Sequence, residues 1–225
     1  MFLCYHLFLL GGSNALGTWG YIQGVDELLS QLDQVNGKVD HIVFACGSGG
    51  TAAGIATGIA LAYAAKQNNK TIPKVHGIGV CDNPDYFYAF VAGIVQDMGL
   101  VLPDGTSSVE DFIRQHLIVH QGKGLGYAMS TKEELEFVSS FARDTGIVLD
   151  PVYSGKAFYN FMLQLVDEQP NDFRGKTILF WHTGGALGLY DKCHDMETDL
   201  VQSSPCTRID IYNKGNGLDL SSPTS

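Results

Sequence analysis

The stretch HIVFACGSGGTAAGIATGIALAYAAK, residues 41–66, decides the fold. Its first apolar run, residues 42–46, is short and partly β-branched, and therefore predicts a buried strand. The last part of the stretch is rich in alanine and predicts a helix. Between the two lie five small residues: Gly47, Ser48, Gly49, Gly50 and Thr51. A strand that turns through glycines into the start of a helix is a candidate anion cradle.

The cradle hypothesis depends on the start of the helix. The first helical N–H groups have no intrahelical partner, and the helix dipole favours negative charge there. Glycines let the backbone approach a phosphate without a Cβ in between, and the hydroxyls of Ser48 and Thr51 add donors. Glycine-rich corners also occur where a helix simply packs tightly on a sheet. Phosphate binding and tight packing therefore both stay open at this point.

Three better-known motifs do not match this corner. A Walker loop would need a lysine directly after its last glycine, and none is present. A hydrolase nucleophile elbow would need glycine at position 46, where Cys46 stands. A dinucleotide fingerprint requires a different glycine spacing.

The composition is that of an ordinary globular α/β protein. The 225 residues are 45% hydrophobic and 17% charged, which allows one domain or slightly more with a sizeable core. The net charge of −10 argues against nucleic acid and anionic membrane as partners. The five cysteines are scattered, without a CxxC or a zinc-type spacing with histidine. We therefore expect no metal site, and a reducing compartment such as the cytoplasm.

The two ends of the chain differ from the part between them. The first ten residues, MFLCYHLFLL, are apolar but lack the positive charge and the cleavage pattern of a signal peptide. A buried strand is our interpretation, and a targeting segment is the alternative. Residues 196–225 are polar and rich in Ser, Pro, Asn and Gly, which predicts a disordered tail. The folded domain is then expected over residues 1–195, and no stretch reaches the length of a membrane span.

Helices and strands alternate along the rest of the chain. Helices are predicted from Asn14 to about residue 32, over 82–91, 109–117 and 130–145, and from after Lys156 to about residue 168. Strands are predicted over 74–81, 147–149 and 177–181. Ser130 and Glu133 predict a capping box for a helix that Gly146 ends. This alternation predicts an α/β fold in three layers, with a parallel sheet between two layers of helices. Ligands bind such sheets at the carboxyl ends of the strands.

Five segments together resemble the D-cysteine desulfhydrase and 1-aminocyclopropane-1-carboxylate (ACC) deaminase family: GGSNALGTWGYI at 11–22, ACGSGGTAAG at 45–54, KGLGYAMSTKEELEFV at 123–138, DPVYSGKA at 150–157 and ILFWHTGGALGLYDK at 178–192. The resemblance runs from about residue 11 to 193. Members of this family are pyridoxal-phosphate (PLP) enzymes with the tryptophan-synthase-β fold. The resemblance therefore implies that fold without its N-terminal third, PLP as cofactor and a small amino-acid substrate, and it allows a homodimer.

The resemblance also implies roles for particular residues. The five small residues at 47–51 would hold the cofactor phosphate. Tyr127 and Tyr153 match two active-site tyrosines, which would orient the substrate or carry a proton. Core tyrosines with merely satisfied hydroxyls are the alternative. Ser154 and Thr183 match the positions that face the pyridine nitrogen.

Ser154 and Thr183 also bear on the reaction. In the deaminase branch of the family these positions hold Glu and Leu. A carboxylate favours a protonated pyridinium, the strong electron sink that ring-opening deamination needs. Hydroxyls leave the ring nearer neutral, which suffices for removal of the Cα proton and loss of sulfide from Cβ. The expected reaction is therefore D-cysteine to pyruvate, hydrogen sulfide and ammonia, and ACC deamination is the alternative.

Three residues near these motifs are not assigned to the chemistry. Cys46 is interpreted as a small core residue, and His182 as a positioned corner residue. Lys156 is not the lysine that the family uses for its Schiff base.

The family's Schiff-base lysine lies in its N-terminal third, and none of the ten lysines here stands in that context. A PLP lyase needs this amine to hold the cofactor and to move the α-proton, so we expect this chain to be inactive alone. Three interpretations follow: a fragment of a desulfhydrase, a non-catalytic protein that keeps the phosphate cradle or pairs with a full-length subunit, and an unrelated Rossmann-like nucleotide binder. The expected compartment is the cytoplasm, or the mitochondrion for a longer form.

Overall fold

The computed structural model describes residues 12–66, 71–102 and 106–196. The predicted strand at residues 1–10 and the predicted disordered tail beyond Met196 lie outside the described residues. Within the described ranges, no helix is both long and apolar enough to cross a membrane.

Helices and strands alternate along the described chain. The helices are α1 (Ala15–Gln34), α2 (Gly50–Lys66), α3 (Pro84–Asp97), α4 (Val109–His116), α5 (Lys132–Thr145), α6 (Ser154–Asn160), α7 (Pro170–Phe173) and α8 (Gly188–Lys192). The strands are β1 (His41–Cys46), β2 (Lys74–Gly79), β3 (Ile118–Gln121) and β4 (Ile178–Phe180). A π-helix (Phe161–Asp167) directly continues α6.

The four strands form one parallel sheet in the order β3-β2-β1-β4. Along β1 and β2 the register places His41 opposite Lys74 and Cys46 opposite Gly79. All six residues of β1 are buried, as expected for a central strand that is covered on both faces. The parallel sheet predicted from the alternation is thus confirmed.

Helices cover both faces of the sheet and give three layers. On one face, buried residues of α1 to α4 pack against Ile42, Phe44 and Val75. On the other face, α6, the π-helix and α7 pack against Val43 and Ile78. Because successive residues of a strand point to opposite faces, β1 contributes to both cores. The three-layer architecture of the prediction is confirmed.

Three local predictions differ from the structure. The sequence prediction missed β3, because IVHQ is short, half-buried and polar at its end. The run 147–149 forms no strand, since two of its three side chains remain exposed and only Leu149 is buried. The capping box of α5 joins Thr131 and Glu134 instead of Ser130 and Glu133.

A row of three histidines crosses the face of the sheet under α7. The Nδ1 atom of His41 lies 3.0 Å from Nε2 of His76, and Nδ1 of His76 lies 2.9 Å from Nε2 of His120. The ring of Phe173 in α7 packs on His41, with 4.8 Å between the ring centroids. Burial lowers the pKa of all three imidazoles, that of His76 to about 3. The row is therefore neutral at physiological pH.

Candidate functional site

A cavity of about 340 Å³ lies at the carboxyl end of the sheet, where β1 and β4 end. It is lined by Tyr21, Ala45, Gly47, Ser48, Gly49, Thr51, Tyr153, Thr183, Gly184 and Gly185. Its volume falls within the range of small-molecule and cofactor pockets. Its position is the one at which parallel α/β sheets bind ligands.

The small residues after β1 form the floor of this cavity. Gly49 has a φ of +86°, a backbone conformation that favours glycine. Its turn leads directly into α2, a helix of 17 residues whose first N–H groups have no intrahelical acceptor. The N–H of Gly50 donates to Oγ of Ser13 at 3.3 Å, and the same hydroxyl is hydrogen-bonded to Oγ of Ser48. Two hydroxyls and a helix start therefore converge at one point.

Gly47 is fixed from two sides. Its carbonyl accepts a hydrogen bond from Sγ of Cys81 at 2.7 Å. The ring of Tyr153 lies so close that a Cβ on Gly47 would come within 2.7 Å of it. Only glycine at this position leaves room for the tyrosine beside the cradle.

Tyr127 and Tyr153 form a pair at the edge of the cavity. Their hydroxyl oxygens lie 2.6 Å apart, and the two rings meet edge to face. This hydrogen bond, followed by burial, raises the pKa of Tyr153 to about 12. Tyr153 is therefore a neutral phenol at physiological pH, and the pair can hold or pass a proton at the hydroxyl oxygens. Tyr153 lines the cavity. Tyr127 is not among the lining residues and is joined to the cavity wall by its hydrogen bond to Tyr153.

The hydroxyl of Ser154 is hydrogen-bonded to Asp150. It is fully buried, and it is not among the residues that line the cavity. Its hydroxyl donates to Oδ1 of Asp150 at 2.6 Å and accepts from the N–H of Asp150 at 2.9 Å. The Asp150 carboxylate also accepts the N–H groups of Val152, Tyr153 and Ser154. Because Asp150 caps the segment that begins α6, the Ser154 hydroxyl is used in the cap instead of facing a ligand.

The corner after β4 supplies the opposite wall of the cavity. Thr183 lines the cavity together with the two glycines that follow it. His182 is held on both ring nitrogens: Nε2 donates to the carbonyl of Val148 at 2.9 Å, and Nδ1 accepts the N–H of Gly184 at 3.2 Å. The interpretation of His182 as a positioned corner residue is confirmed.

Cys46 and Lys156 lie beneath the site. Cys46 is buried in the core, where burial raises the pKa of its thiol to about 12. This confirms the prediction of a small core residue. Lys156 is fully buried, with Nζ surrounded by backbone carbonyls. The lining residues of the described cavity include no lysine.

These residues fit PLP at its phosphate end. The turn at Gly49 brings the backbone and the start of α2 to one side of the cavity, and hydroxyls are within reach there. Phosphate is the group that such a helix start prefers. The far wall, with Tyr153 and Thr183, offers an aromatic ring and hydroxyls to a planar heterocycle.

The sequence prediction missed several contributors to the site. Tyr21 lines the cavity from α1, and Cys81 bonds to the cradle from the end of β2. For residues 11–13 the sequence favours a turn and leaves open whether it faces a ligand, and the structure places Ser13 at the cradle. The Asp150 cap had a visible signal, because Asp-Pro followed by a hydroxyl residue favours turn and cap formation. Tyr21 and Cys81 carried no such signal in the sequence, since only the packing of α1 and β2 brings them to the site.

Comparisons with known proteins identify the family of this chain. Residues 6–184 match the model of the family described as pyridoxal-phosphate dependent enzymes. The bifunctional D-cysteine desulfhydrase/1-aminocyclopropane-1-carboxylate deaminase of Arabidopsis thaliana mitochondria is 49% identical over 189 residues, which cover 83% of this chain and 43% of that protein. The D-cysteine desulfhydrase of Salmonella typhi is 30% identical, over 80% of this chain and 50% of that protein.

A solved structure of an ACC deaminase homologue has the same architecture. It superposes with a TM-score of 0.66 at 27% identity, covering 84% of this chain and 52% of the solved chain. The chain thus spans about half the length of the relatives that it matches. With the family model matching well over half of its residues, the chain belongs to the family of pyridoxal-phosphate dependent enzymes.

Proposed function

We propose that this chain provides the cofactor cradle and the tyrosine pair of a PLP-dependent lyase that converts D-cysteine to pyruvate, hydrogen sulfide and ammonia. One observation carries the proposal: a single cavity joins the glycine cradle, Tyr153 with its partner Tyr127, and Thr183. The relatives named above that share this stretch include D-cysteine desulfhydrases. ACC deamination is the competing activity, since the Arabidopsis thaliana relative carries both names.

The proposed cofactor contacts follow from the walls of the cavity. Gly47, Ser48, Gly49 and Thr51, which line the cavity, would bind the phosphate through backbone N–H groups and hydroxyls. Gly50 does not line the cavity and donates its N–H to Ser13, and we propose it as part of the same cradle because it begins α2. Thr183 would place a neutral hydroxyl near the pyridine nitrogen, whereas Ser154 would act through the Asp150 cap. When bound, PLP supplies the electron sink that acidifies the Cα proton of an amino acid.

The tyrosine pair would handle the substrate. Tyr153 is protonated at physiological pH and 37% exposed, so its hydroxyl can donate to a substrate carboxylate or carry a proton. Tyr127 is 54% exposed and hydrogen-bonded to it. The short bond between the two oxygens keeps the proton at a fixed place beside the cavity.

Binding of PLP through the cradle is tested first, with the 225-residue chain. Equilibrium dialysis should show that PLP binds at least tenfold more tightly than pyridoxal, which lacks the phosphate. The double substitution Ser48→Ala with Thr51→Val should weaken PLP binding by at least about tenfold, the value of one hydrogen bond to a charged group. Thr71→Val, at an exposed position away from the cavity, is the matched control. Equal binding of PLP and pyridoxal would overturn the cradle assignment.

Turnover is tested on the protein isolated from its source and on the 225-residue chain. The source protein should release sulfide from D-cysteine and little ammonia from ACC; the reverse ratio would favour the deaminase. The 225-residue chain alone should release no sulfide, because the described cavity wall offers no lysine amine. Robust sulfide release by this chain would contradict that expectation.

Compartment and assembly belong to the same proposal. The described cysteines Cys46, Cys81 and Cys193 are free thiols, which suits a reducing compartment. We place the protein in the cytoplasm, or in the mitochondrion as the name of the Arabidopsis thaliana relative states for that protein. A homodimer is proposed as its assembly, supported by exposed apolar side chains on α1.

A further inference from the structure

Lys156 is a buried cation with three backbone acceptors. Its side chain is fully buried, and Nζ donates to the carbonyls of Lys123 at 2.9 Å, Gly126 at 3.0 Å and Met129 at 2.6 Å. An ammonium group has three N–H donors, so these carbonyls use all of them. The carboxylate of Glu134, also buried, lies 3.9 Å from Nζ. The ammonium is thus neutralised and fully hydrogen-bonded, as a buried charge must be.

The three acceptors come from one loop. We call residues 122–130, between β3 and α5, the tyrosine loop, because it carries Tyr127. Its acceptor carbonyls are three residues apart, and two consecutive turns link them. The N–H of Gly126 donates to the carbonyl of Lys123, and the N–H of Met129 donates to the carbonyl of Gly126. Positive φ angles at alternate residues, Gly124, Gly126 and Ala128, curl the loop. The loop therefore closes around the ammonium with its carbonyls pointing inward.

Apolar contacts hold the tyrosine loop only weakly. Leu125, Tyr127 and Met129 are 63%, 54% and 55% exposed, so apolar burial holds these side chains only weakly. Ala128 is in the left-handed region, which strains the backbone of a residue other than glycine. A conformation with exposed side chains and local strain persists only when other contacts enforce it. Charge-assisted hydrogen bonds to Lys156 are the strongest candidates.

The geometry assigns Lys156 as the positioning residue for Tyr127: by holding the carbonyls of the tyrosine loop, it places the Tyr127 hydroxyl against that of Tyr153. Its importance for catalysis rests on the proposed function of the tyrosine pair. Tyr153 directly precedes α6, and Lys156 lies in the first turn of the same helix. One helix therefore fixes one tyrosine directly and the other through the loop.

A purely structural role would make a different prediction. If Lys156 only stabilised the fold, its loss would lower the stability of the whole domain without a selective effect on the loop. If it positions Tyr127, its loss releases the loop and breaks the bond between the two hydroxyls. The two roles are separated by local measurements on the loop and on the tyrosines.

The first experiment compares amide hydrogen exchange in wild type and Lys156→Met in the full chain. Exchange at Gly126 and Met129 should accelerate at least about tenfold, since hydrogen bonds to a charged group are stronger than neutral ones. Exchange in β1 should stay unchanged. Lys123→Met is the matched control: it makes the same change within the loop and keeps the backbone carbonyl. A ring-carbon NMR titration should also show the late-ionising tyrosine shift toward a pKa of about 10 in Lys156→Met only. Unchanged loop exchange in a folded Lys156→Met protein would overturn the assignment.

Tyr127→Phe provides a second variant that leaves the buried lysine in place. It removes the bond between the hydroxyls, yet loop exchange should stay within about twofold of wild type if Lys156 holds the loop. A tenfold increase in this variant would overturn the assignment, because the tyrosine bond would then hold the loop. The comparison of Tyr127→Phe with wild type can overturn the assignment of Lys156 even if Lys156→Met does not fold. Neither measurement uses PLP or D-cysteine, so failure of the proposed function leaves both results interpretable.

Discussion

Asp150 supports the site without facing a ligand. Its carboxylate accepts three backbone N–H groups and the Ser154 hydroxyl, and it is buried. An amide has a single acceptor oxygen, so Asp150→Asn should lower the free energy of unfolding by about 3 kcal/mol through buried donors left without partners. Urea denaturation followed by circular dichroism measures this. Asp144→Asn, at an exposed position in α5, should change the free energy by less than about 0.5 kcal/mol. Equal effects at both positions would disprove the capping role.

The tyrosine pair makes a second prediction for single residues. The hydrogen bond from Tyr127 is the main cause that raises the pKa of Tyr153 to about 12. Tyr127→Phe should therefore return the pKa of Tyr153 toward about 10, the value of a free phenol. Ring-carbon NMR titration reads this pKa. Tyr190→Phe, at a side chain 75% exposed, is the control and should leave it unchanged. A Tyr153 pKa still near 12 without Tyr127 would assign the shift to burial instead.

Single residues also show where sequence-based prediction of the site stopped. The cradle residues could be predicted because they are consecutive along the chain, so that one local turn brings them together. Thr183 and Tyr153 were placed through a family resemblance, and the structure brings both to the cavity. The hydrogen bond of the Ser154 hydroxyl to Asp150 was not predicted, since it depends on how the chain folds back between the two residues. Tyr21 depends on how closely α1 packs on α2, which no local pattern reveals.

The elements were predicted where hydrophobic patterns were long. The run in β1 and the alanines of α2 left little ambiguity, and the parallel sheet followed from the alternation. β3 was missed because a four-residue edge strand that ends in His120 and Gln121 carries almost no apolar signal. Residues 147–149 were predicted as strand-like from their apolar character, yet they have no strand partner among the described residues. Pairing, which decides both cases, is a tertiary property.

The histidine row predicts how stability depends on pH. Burial lowers the pKa of His76 from 6.5 to about 3, so below pH 6.5 the unfolded chain binds a proton that the folded chain does not. This contribution to stability is complete above pH 6.5 and is lost as the pH falls toward 3. Between pH 7 and pH 5 the free energy of unfolding should drop by about 2 kcal/mol from His76 alone. Urea denaturation at the two pH values measures the drop.

The matched variants for this effect are His76→Gln and His194→Gln. Glutamine does not titrate, so His76→Gln should flatten the pH dependence even if it lowers stability at pH 7. His194→Gln makes the same replacement at an exposed position and controls for the substitution itself. If the free energy of unfolding still fell steeply between pH 7 and pH 5 in His76→Gln, groups other than His76 would be the cause.

At the scale of the whole molecule, the proposed homodimer is open to a direct measurement. Leu16 and Trp19 lie about one turn apart on α1 and are 78% and 43% exposed. Sedimentation velocity should show a dimer, and Leu16→Glu with Trp19→Glu should shift it to monomer, because burying unpaired carboxylates is costly. Val101→Glu, at the 92% exposed side chain of Val101, is the control. A dimer that is insensitive to both changes would place the interface elsewhere.

The strand order has a consequence for synthesis on the ribosome. The partner of β1 on one side is β4, and the hydrogen bond from Thr177 to Asp40 spans 137 residues, so β1 is synthesised long before this partner. At elongation rates of 5–20 residues per second, the growing polypeptide carries an unpaired β1 edge for on the order of ten seconds. Such an edge is a template for pairing with other chains. Translation speed between β1 and β4, and chaperones that shield the nascent chain, should therefore determine how much of this protein reaches its native state.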